Sequence, residues 1–252
     1  DTVEQWSDAA FYDEFRRRLR SCVPWSPAMP YTPELNLVGD TYHTLNVFPE
    51  LAPSDAPVAE LNPAERADSP NKEFRYCIRL HRAGQQLMTW YGNQTGTVLF
   101  DSDVHIPAIF QCRDGEPGVW NTFPWMSLTP AEILTLREGS RLAKGRVVIA
   151  GLGLGHQLIE VSKRLTVKEI VLVERSQELV DFYLPRVRPL VKKRLTVLVG
   201  DAYEIVPTLR ADVALIDIFP AYGGNEPATR ELARRSPNIK KMWGWGTAEL
   251  RR

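Results

Sequence analysis

Cysteine is scarce in this chain. Its 252 residues hold three, Cys22, Cys77 and Cys112, far apart and odd in number. That excludes a disulfide framework, gives no zinc-type spacing, and fits a reducing, cytoplasmic setting. Long apolar runs are absent too. None approaches the ~18 residues of a membrane-spanning helix, and no basic-then-apolar leader opens the chain. The first residue is Asp1 rather than methionine, so a processed or trimmed chain is expected. Net charge is also missing. Lys and Arg total 31, as do Asp and Glu, so no global field favours nucleic acid or an acidic membrane. No repeat of fixed period is present. No Ser/His/Asp or Cys/His grouping has the spacing of a nucleophilic site. No bound metal is expected. Asp101, Asp103 and His105 alternate and would share one strand face, which reads as solvated. Asn93-Gln94-Thr95 has glycosylation spacing but, without a secretion leader, reads as a turn.

What is present is an ordinary globular composition, 44% hydrophobic and 25% charged, with length for a core domain and a smaller appendage. Residues 2–20 read as a helix, with capping-box spacing at Thr2 and Gln5 and basic residues Arg16 to Arg20 near its end. A proline-rich stretch follows, then a short strand over 41–48. Residues 49–70 carry five prolines and read as a long surface loop. From Phe74 the pattern alternates: Phe74, Tyr76, Ile78 and Leu80 against Arg75, Cys77, Arg79 and His81, as in a strand with one face buried. Gln86 to Tyr91 and Thr97 to Phe100 complete a β-meander, and Gly115 to Gly118 reads as a loop. A helix is predicted over 127–139, with Thr129 as cap, Pro130 in the first turn and Glu132 closing the capping box.

The stretch that organises the rest runs from Arg146 to Glu174. A β-branched run (Val147, Val148, Ile149) meets a turn with Gly151, Gly153 and Gly155. A helix-like segment follows, then a second apolar run, Ile170 to Val173, ending on Glu174. Continuous apolar runs are the mark of strands buried on both faces, so this is one βαβ unit. The rhythm continues. Ser176 to Tyr183 reads as a helix ending near Pro185, and Leu195 to Val199 as a strand closed by Gly200-Asp201. Ala202 to Leu209 reads as a short helix, Val213 to Ile216 as a strand closed by Asp217, Pro227 to Arg235 as a helix and Ile239 to Trp245 as a final strand. Alternation of this kind implies a parallel sheet. The expected fold is α/β: a doubly wound, mostly parallel Rossmann-like sheet over residues 126–252, preceded by a smaller β-rich region over 1–125.

Chemistry is expected at the strand tips. In open α/β sheets ligands sit at the carboxyl ends of the strands, where strand order reverses. Four successive tips carry Gly151/Gly153/Gly155, Glu174, Asp201 and Asp217. A dinucleotide fingerprint needs a small residue five after the first glycine, and His156 stands there. The G-x-G-x-G turn and the four acid-bearing or glycine-bearing tips resemble class I S-adenosylmethionine-dependent methyltransferases, over about a third of the chain. The β-rich segment ahead of the core, and Ile149 in place of an acid two before the first glycine, look most like their spermidine-synthase-like branch.

That resemblance implies S-adenosylmethionine as cofactor. Gly151, Gly153 and Gly155 would pass under its methionine and ribose, and Glu174 would hold the ribose hydroxyls. Asp201 with Ala202 would face the adenine amino group, and Asp217 would sit beside the sulfonium and substrate. Asp217 and Tyr222 are the expected catalytic residues, Phe219 and the Gly223-Gly224 loop the acceptor pocket, and a small molecule the expected acceptor. Leu154 and Phe219-Pro220 stand where aminopropyltransferases usually carry acids. Aminopropyl transfer is therefore the alternative, beside a nucleoside-binding protein without chemistry. His156 either neighbours the cofactor carboxylate or serves only the helix start. The basic run Arg186, Arg188, Lys192, Lys193 and Arg194 reads as a solvated face, with nucleic-acid contact the minority reading. Trp120, Trp125, Trp243 and Trp245 offer faces on which a flat substrate could stack, but core packing is the default reading. One strand after Asp217 is fewer than such sheets usually carry, so either the sheet is truncated or its edge is covered by the N-terminal segment or by a partner subunit, self-association being the hypothesis carried.

Overall fold

The computed structural model describes residues 46–82, 86–91, 94–99 and 103–247. The predicted helix over 2–20, Cys22, Asp101 and most of the strand expected over 41–48 lie outside them. The chain forms two compact units, residues 1–134 and 135–252.

The first unit is antiparallel. Strands β1 (Arg66–Asp68), β2 (Phe74–His81), β5 (Val104–Arg113) and β6 (Glu116–Trp120) lie side by side in that order, and β7 (Met126–Ser127) also pairs with β5. β3 (Gln86–Tyr91) and β4 (Gln94–Leu99) form a separate hairpin. Several expectations fail here: β2 pairs with β1 and β5 rather than forming a meander with β3 and β4, and the expected Gly115 to Gly118 loop is largely strand β6. Of the strand expected over 41–48 only 46–48 are described, and these are irregular; 49–70 is more than a loop, holding a 3-10 turn, Val58–Glu60, and strand β1, with Leu51 and Leu61 buried. β2 also does not keep a polar face, because Arg75 and Cys77 are as buried as Phe74 and Tyr76. Burial of the Arg75 guanidinium is offset by two bonds to Asp68 (2.7 and 2.9 Å), one to the Val58 carbonyl (2.7 Å) and the Trp120 ring 4.5 Å beneath it. Those partners come from distant positions, so alternation along β2 could not announce them.

Helix α1 (Pro130–Ser140) starts as its capping box predicts. The Thr129 hydroxyl accepts from the Glu132 N–H (3.4 Å), and Glu132 accepts from the Thr129 N–H (3.2 Å) and the Ser127 hydroxyl (2.9 Å). Crowding around this carboxyl pushes its pKa up to about 7, although part of the side chain still reaches solvent.

The second unit has the expected α/β fold. Its strands are β8 (Gly145–Ala150), β9 (Val167–Glu174), β10 (Arg194–Val199), β11 (Val213–Ile216) and β12 (Met242–Gly244). All pair in parallel, in the order β10-β9-β8-β11-β12. Between them run α2 (His156–Lys163), α3 (Gln177–Val187), α4 (Ala202–Ile205) and α5 (Glu226–Arg235). One sheet face, Val148, Ala150, Val171, Val173, Ala214 and Ile216, packs with Ala202, Val206 and Leu232. The alternate residues, Val147, Ile149, Ile170, Leu172, Val213 and Leu215, are equally buried. Both faces are therefore covered, which is why these strands read as unbroken apolar runs. α3 runs through Pro185 to Val187 rather than ending near the proline. The buried Leu184 and Val187 on either side hold it in place despite the one missing backbone bond.

Candidate cofactor site

The strand order reverses between β8 and β11, both centred in the sheet. Chain leaving β8 goes one way, to β9 and β10; chain leaving β10 crosses back to β11. The loops at the carboxyl ends part there, which is where open sheets of this kind place a ligand crevice. Backbone bonds then stitch each tip to its neighbour. The Gly200 N–H donates to the Glu174 carbonyl (2.9 Å) and Gly151 to Val173 (2.8 Å). Asp217 donates to Ala150 (2.9 Å) and Trp245 to Ile216 (2.8 Å). Gly151, Glu174, Gly200-Asp201 and Asp217 thus form one continuous rim.

Gly151 and Asp217 come closest. At Gly151 φ is +100°, and a Cβ there would lie 2.1 Å from the Asp217 carbonyl oxygen. Glycine is required twice over, by a left-handed backbone and by the approach of a second chain. Gly155, with φ +79°, forms the N-cap of α2, where a Cβ would meet Val187 at 2.7 Å. No side chain caps this helix. Among the described residues nothing accepts from the N–H groups of Gly153, His156 or Gln157, which leaves donors for an acceptor from outside the protein.

The carboxylates differ in their engagement. Glu174, half-buried, accepts from the Leu152 N–H (2.8 Å) with one oxygen and from the Ser176 N–H (2.9 Å) with the other. It therefore fixes the glycine turn as well as ending β9, and each oxygen retains a second lone pair. Asp201 is exposed and caps α4 by accepting from the Tyr203 N–H (2.8 Å) beside buried Ala202. Asp217 is half-buried. Tyr222 stands edge-on to Trp245, centroids 5.2 Å apart.

Two residues carry structure that the sequence did not reveal. The Asn225 side-chain amide donates to the Ala221 carbonyl (2.9 Å) and the Trp245 carbonyl (2.8 Å), holding the loop after β11 against the tip of β12. Trp245, buried as expected, donates its ring N–H to the Thr135 hydroxyl (3.0 Å). An asparagine just ahead of a proline-containing helix start was the one available signal, and it reads only as a cap. Phe219 is half-buried, while Gly223 and Gly224 are exposed. Among the described residues no group of His, Cys, Asp and Glu is arranged to hold a metal, and no helix is long and apolar enough to cross a membrane.

His156 is 6% exposed, its Nδ1 is buried without a partner, and desolvation pulls its pKa down to about 4. It is neutral at pH 7 and brings no positive charge to a ligand carboxylate. Its sign for stability opposes that of Glu132. The depressed histidine contributes stability present above pH ~6.5 and lost as pH falls toward 4. The raised carboxyl contributes stability present below pH ~4.5 and lost as pH rises through 7. In wild type the two slopes offset each other between about pH 4.5 and 6.5. Glu132→Gln is expected to remove one of them. The variant should gain about 1–3 kcal/mol on wild type at pH 8 and lose stability steadily from pH 6.5 to 4. Urea melts at pH 4.5, 6.5 and 8 check this; parallel wild-type and variant curves would refute it.

No protein-family model matches the sequence, and no curated protein matches it. Among solved structures, the chain is similar to an O-methyltransferase from Bacillus cereus in complex with SAH. The identity there is 20% and the TM-score 0.34, over 46% of this chain and 56% of that one. It is similar also to the O-methyltransferase TomG of Streptomyces achromogenes in complex with SAM, at 19%, TM-score 0.33, over 42% and 50%. A third is a dimethyladenosine transferase from Plasmodium falciparum, at 18%, TM-score 0.35, over 44% and 39%. The chain thus spans roughly half the length of the structures it resembles. The α/β assignment rests on the strand order and the parallel registers.

Proposed function

We propose that the second unit binds S-adenosylmethionine across the rim of strand tips and that the protein is a methyltransferase acting on a small-molecule acceptor. One observation carries the reading: the glycine turn and Asp217 meet at the strand-order reversal, with Glu174 bonded to that same turn. The residues suit the group. Glu174 offers spare lone pairs to a ribose diol. Asp201 offers an exposed carboxylate oxygen to an adenine amino group, with Ala202 alongside. Gly151, Gly153 and Gly155 let the backbone lie flat beneath the nucleoside. Asp217 sets a negative charge where a sulfonium would lie. When bound, the cofactor supplies an already activated methyl group. The chain then has to orient the nucleophile and exclude water, with Asp217 available to take a proton and Tyr222 to wall the acceptor pocket. Phe219 and Pro220 provide no second acid for a polyamine, so methyl rather than aminopropyl transfer is the reading.

The test needs no knowledge of the acceptor. Calorimetry should detect binding of both S-adenosylmethionine and its neutral demethylated product; absence of both ends the proposal. Asp217→Asn is expected to weaken the cationic cofactor by about tenfold while leaving the neutral product within about threefold, because only the former loses a Coulomb partner. Equal losses for both ligands would remove Asp217 from beside the sulfonium.

A further inference from the structure

The first unit has a concavity of about 400 Å3, large enough for a small ligand. Its lining includes Gln111, Arg113, Asn121, Thr122, Phe123 and Trp125. Trp125, expected in the core, is 51% exposed, and Phe123 is 82% exposed. Both rings line this one concavity and leave aromatic surface open to solvent, available for a flat ligand to pack against.

The platform is built rather than loose. Residues 121–125 arch over β5 and are pinned at both ends. The Asn121 N–H donates to the Gln111 carbonyl (3.1 Å) and the Trp125 N–H to the Ile109 carbonyl (2.8 Å), while the Asn121 amide reaches the Cys112 carbonyl (3.3 Å). Trp120, which leads into this stretch, is buried. The lining has one cation, Arg113, and no carboxylate. Arg113 is exposed and forms no ion pair among the described residues. Two carboxamides and a hydroxyl complete it, groups that both donate and accept.

We propose that this concavity is a nucleotide-binding site. A base would stack on Phe123 and Trp125, its edge would meet the Gln111 and Asn121 carboxamides, and its phosphate would face Arg113. Aromatic faces beside a guanidinium suit any base, because every base has a π-face. A free nucleotide and a residue of a single strand share this chemistry.

The experiment uses the whole chain. Binding of 5′-AMP is followed by calorimetry, and binding of a fluorescein-labelled ten-nucleotide oligouridylate by anisotropy. Both are repeated for Phe123→Ala, Trp125→Ala, Arg113→Ala and Glu174→Gln, with circular dichroism melts to check folding. Phe123 projects into solvent, so its replacement should leave the melt unchanged. Phe123→Ala and Trp125→Ala are each expected to weaken binding roughly 5- to 150-fold. Arg113→Ala should weaken it and flatten its salt dependence. Glu174→Gln should leave it intact. Binding of 5′-AMP assigns the site to free nucleotides; binding of the oligonucleotide alone assigns it to single strands. If neither ligand binds, or if affinity follows Glu174 instead of Phe123 and Trp125, the proposal is overturned. The last outcome would place nucleotide binding at the strand tips, so failure here is distinguishable from failure of the cofactor reading.

Discussion

Gly151→Ala is expected to abolish cofactor binding and to lower the melting temperature by about 5–10 °C. Two separate penalties combine. A Cβ at Gly151 would stand 2.1 Å from the Asp217 carbonyl oxygen, on a backbone with φ +100°. The left-handed conformation costs an alanine on the order of 1–2 kcal/mol. The overlap is with main chain, which cannot rotate away, so the tips of β8 and β11 must separate at a further cost of about 1–3 kcal/mol. A sum of about 2–5 kcal/mol, at roughly 2–4 °C per kcal/mol for a chain of this size, covers the stated shift. Separation also breaks the Asp217-to-Ala150 bond that holds the crevice wall. Thermal melts and S-adenosylhomocysteine calorimetry read the two consequences independently. A variant with wild-type affinity would show that the crevice between these strands is not where the cofactor lies.

The second large effect concerns Glu174. Its two carboxylate oxygens accept from Leu152 and Ser176, so truncation to alanine leaves two half-buried N–H groups without an acceptor and releases the glycine turn. Glu174→Ala is expected to cost about 1–3 kcal/mol of stability. It should also weaken S-adenosylhomocysteine by a further factor of roughly 30 to 700, equivalent to about 2–4 kcal/mol for bonds from a ribose diol to an ionised acceptor. Glu174→Gln separates the two roles. Glutamine keeps one oxygen for one backbone donor, so folding should largely survive while affinity still falls. If Glu174→Gln binds the ligand as wild type does, Glu174 only fastens the turn and takes no part in recognition.

Glu174 also shows where sequence reading stops. That an acid ends the second strand is plain from Ile170 to Glu174. That the same carboxylate reaches across to the Leu152 N–H depends on β8 and β9 lying side by side in register, Ala150 opposite Val173. Likewise Asp217 ends an apolar run in the sequence. Its carbonyl becomes the reason Gly151 must be glycine only once β11 has paired with β8.

The sequence by itself determined the elements of the second unit, their order and the residues at four strand tips. Each follows from a local rule: buried parallel strands are continuous in apolar character, and glycines mark left-handed turns. Tertiary structure alone decided several other points. It buried Arg75 inside β2, through Asp68 and Trp120. It formed the ten-residue strand β5, flanked by partners on both sides, and carried α3 through Pro185. It also lifted Phe123 and Trp125 into solvent on an arch fixed by β5. The division has one physical reason. Periodicity and turn chemistry act between residues a few positions apart, whereas compensation for a buried charge, an edge strand or an exposed ring comes from groups that folding alone brings into contact.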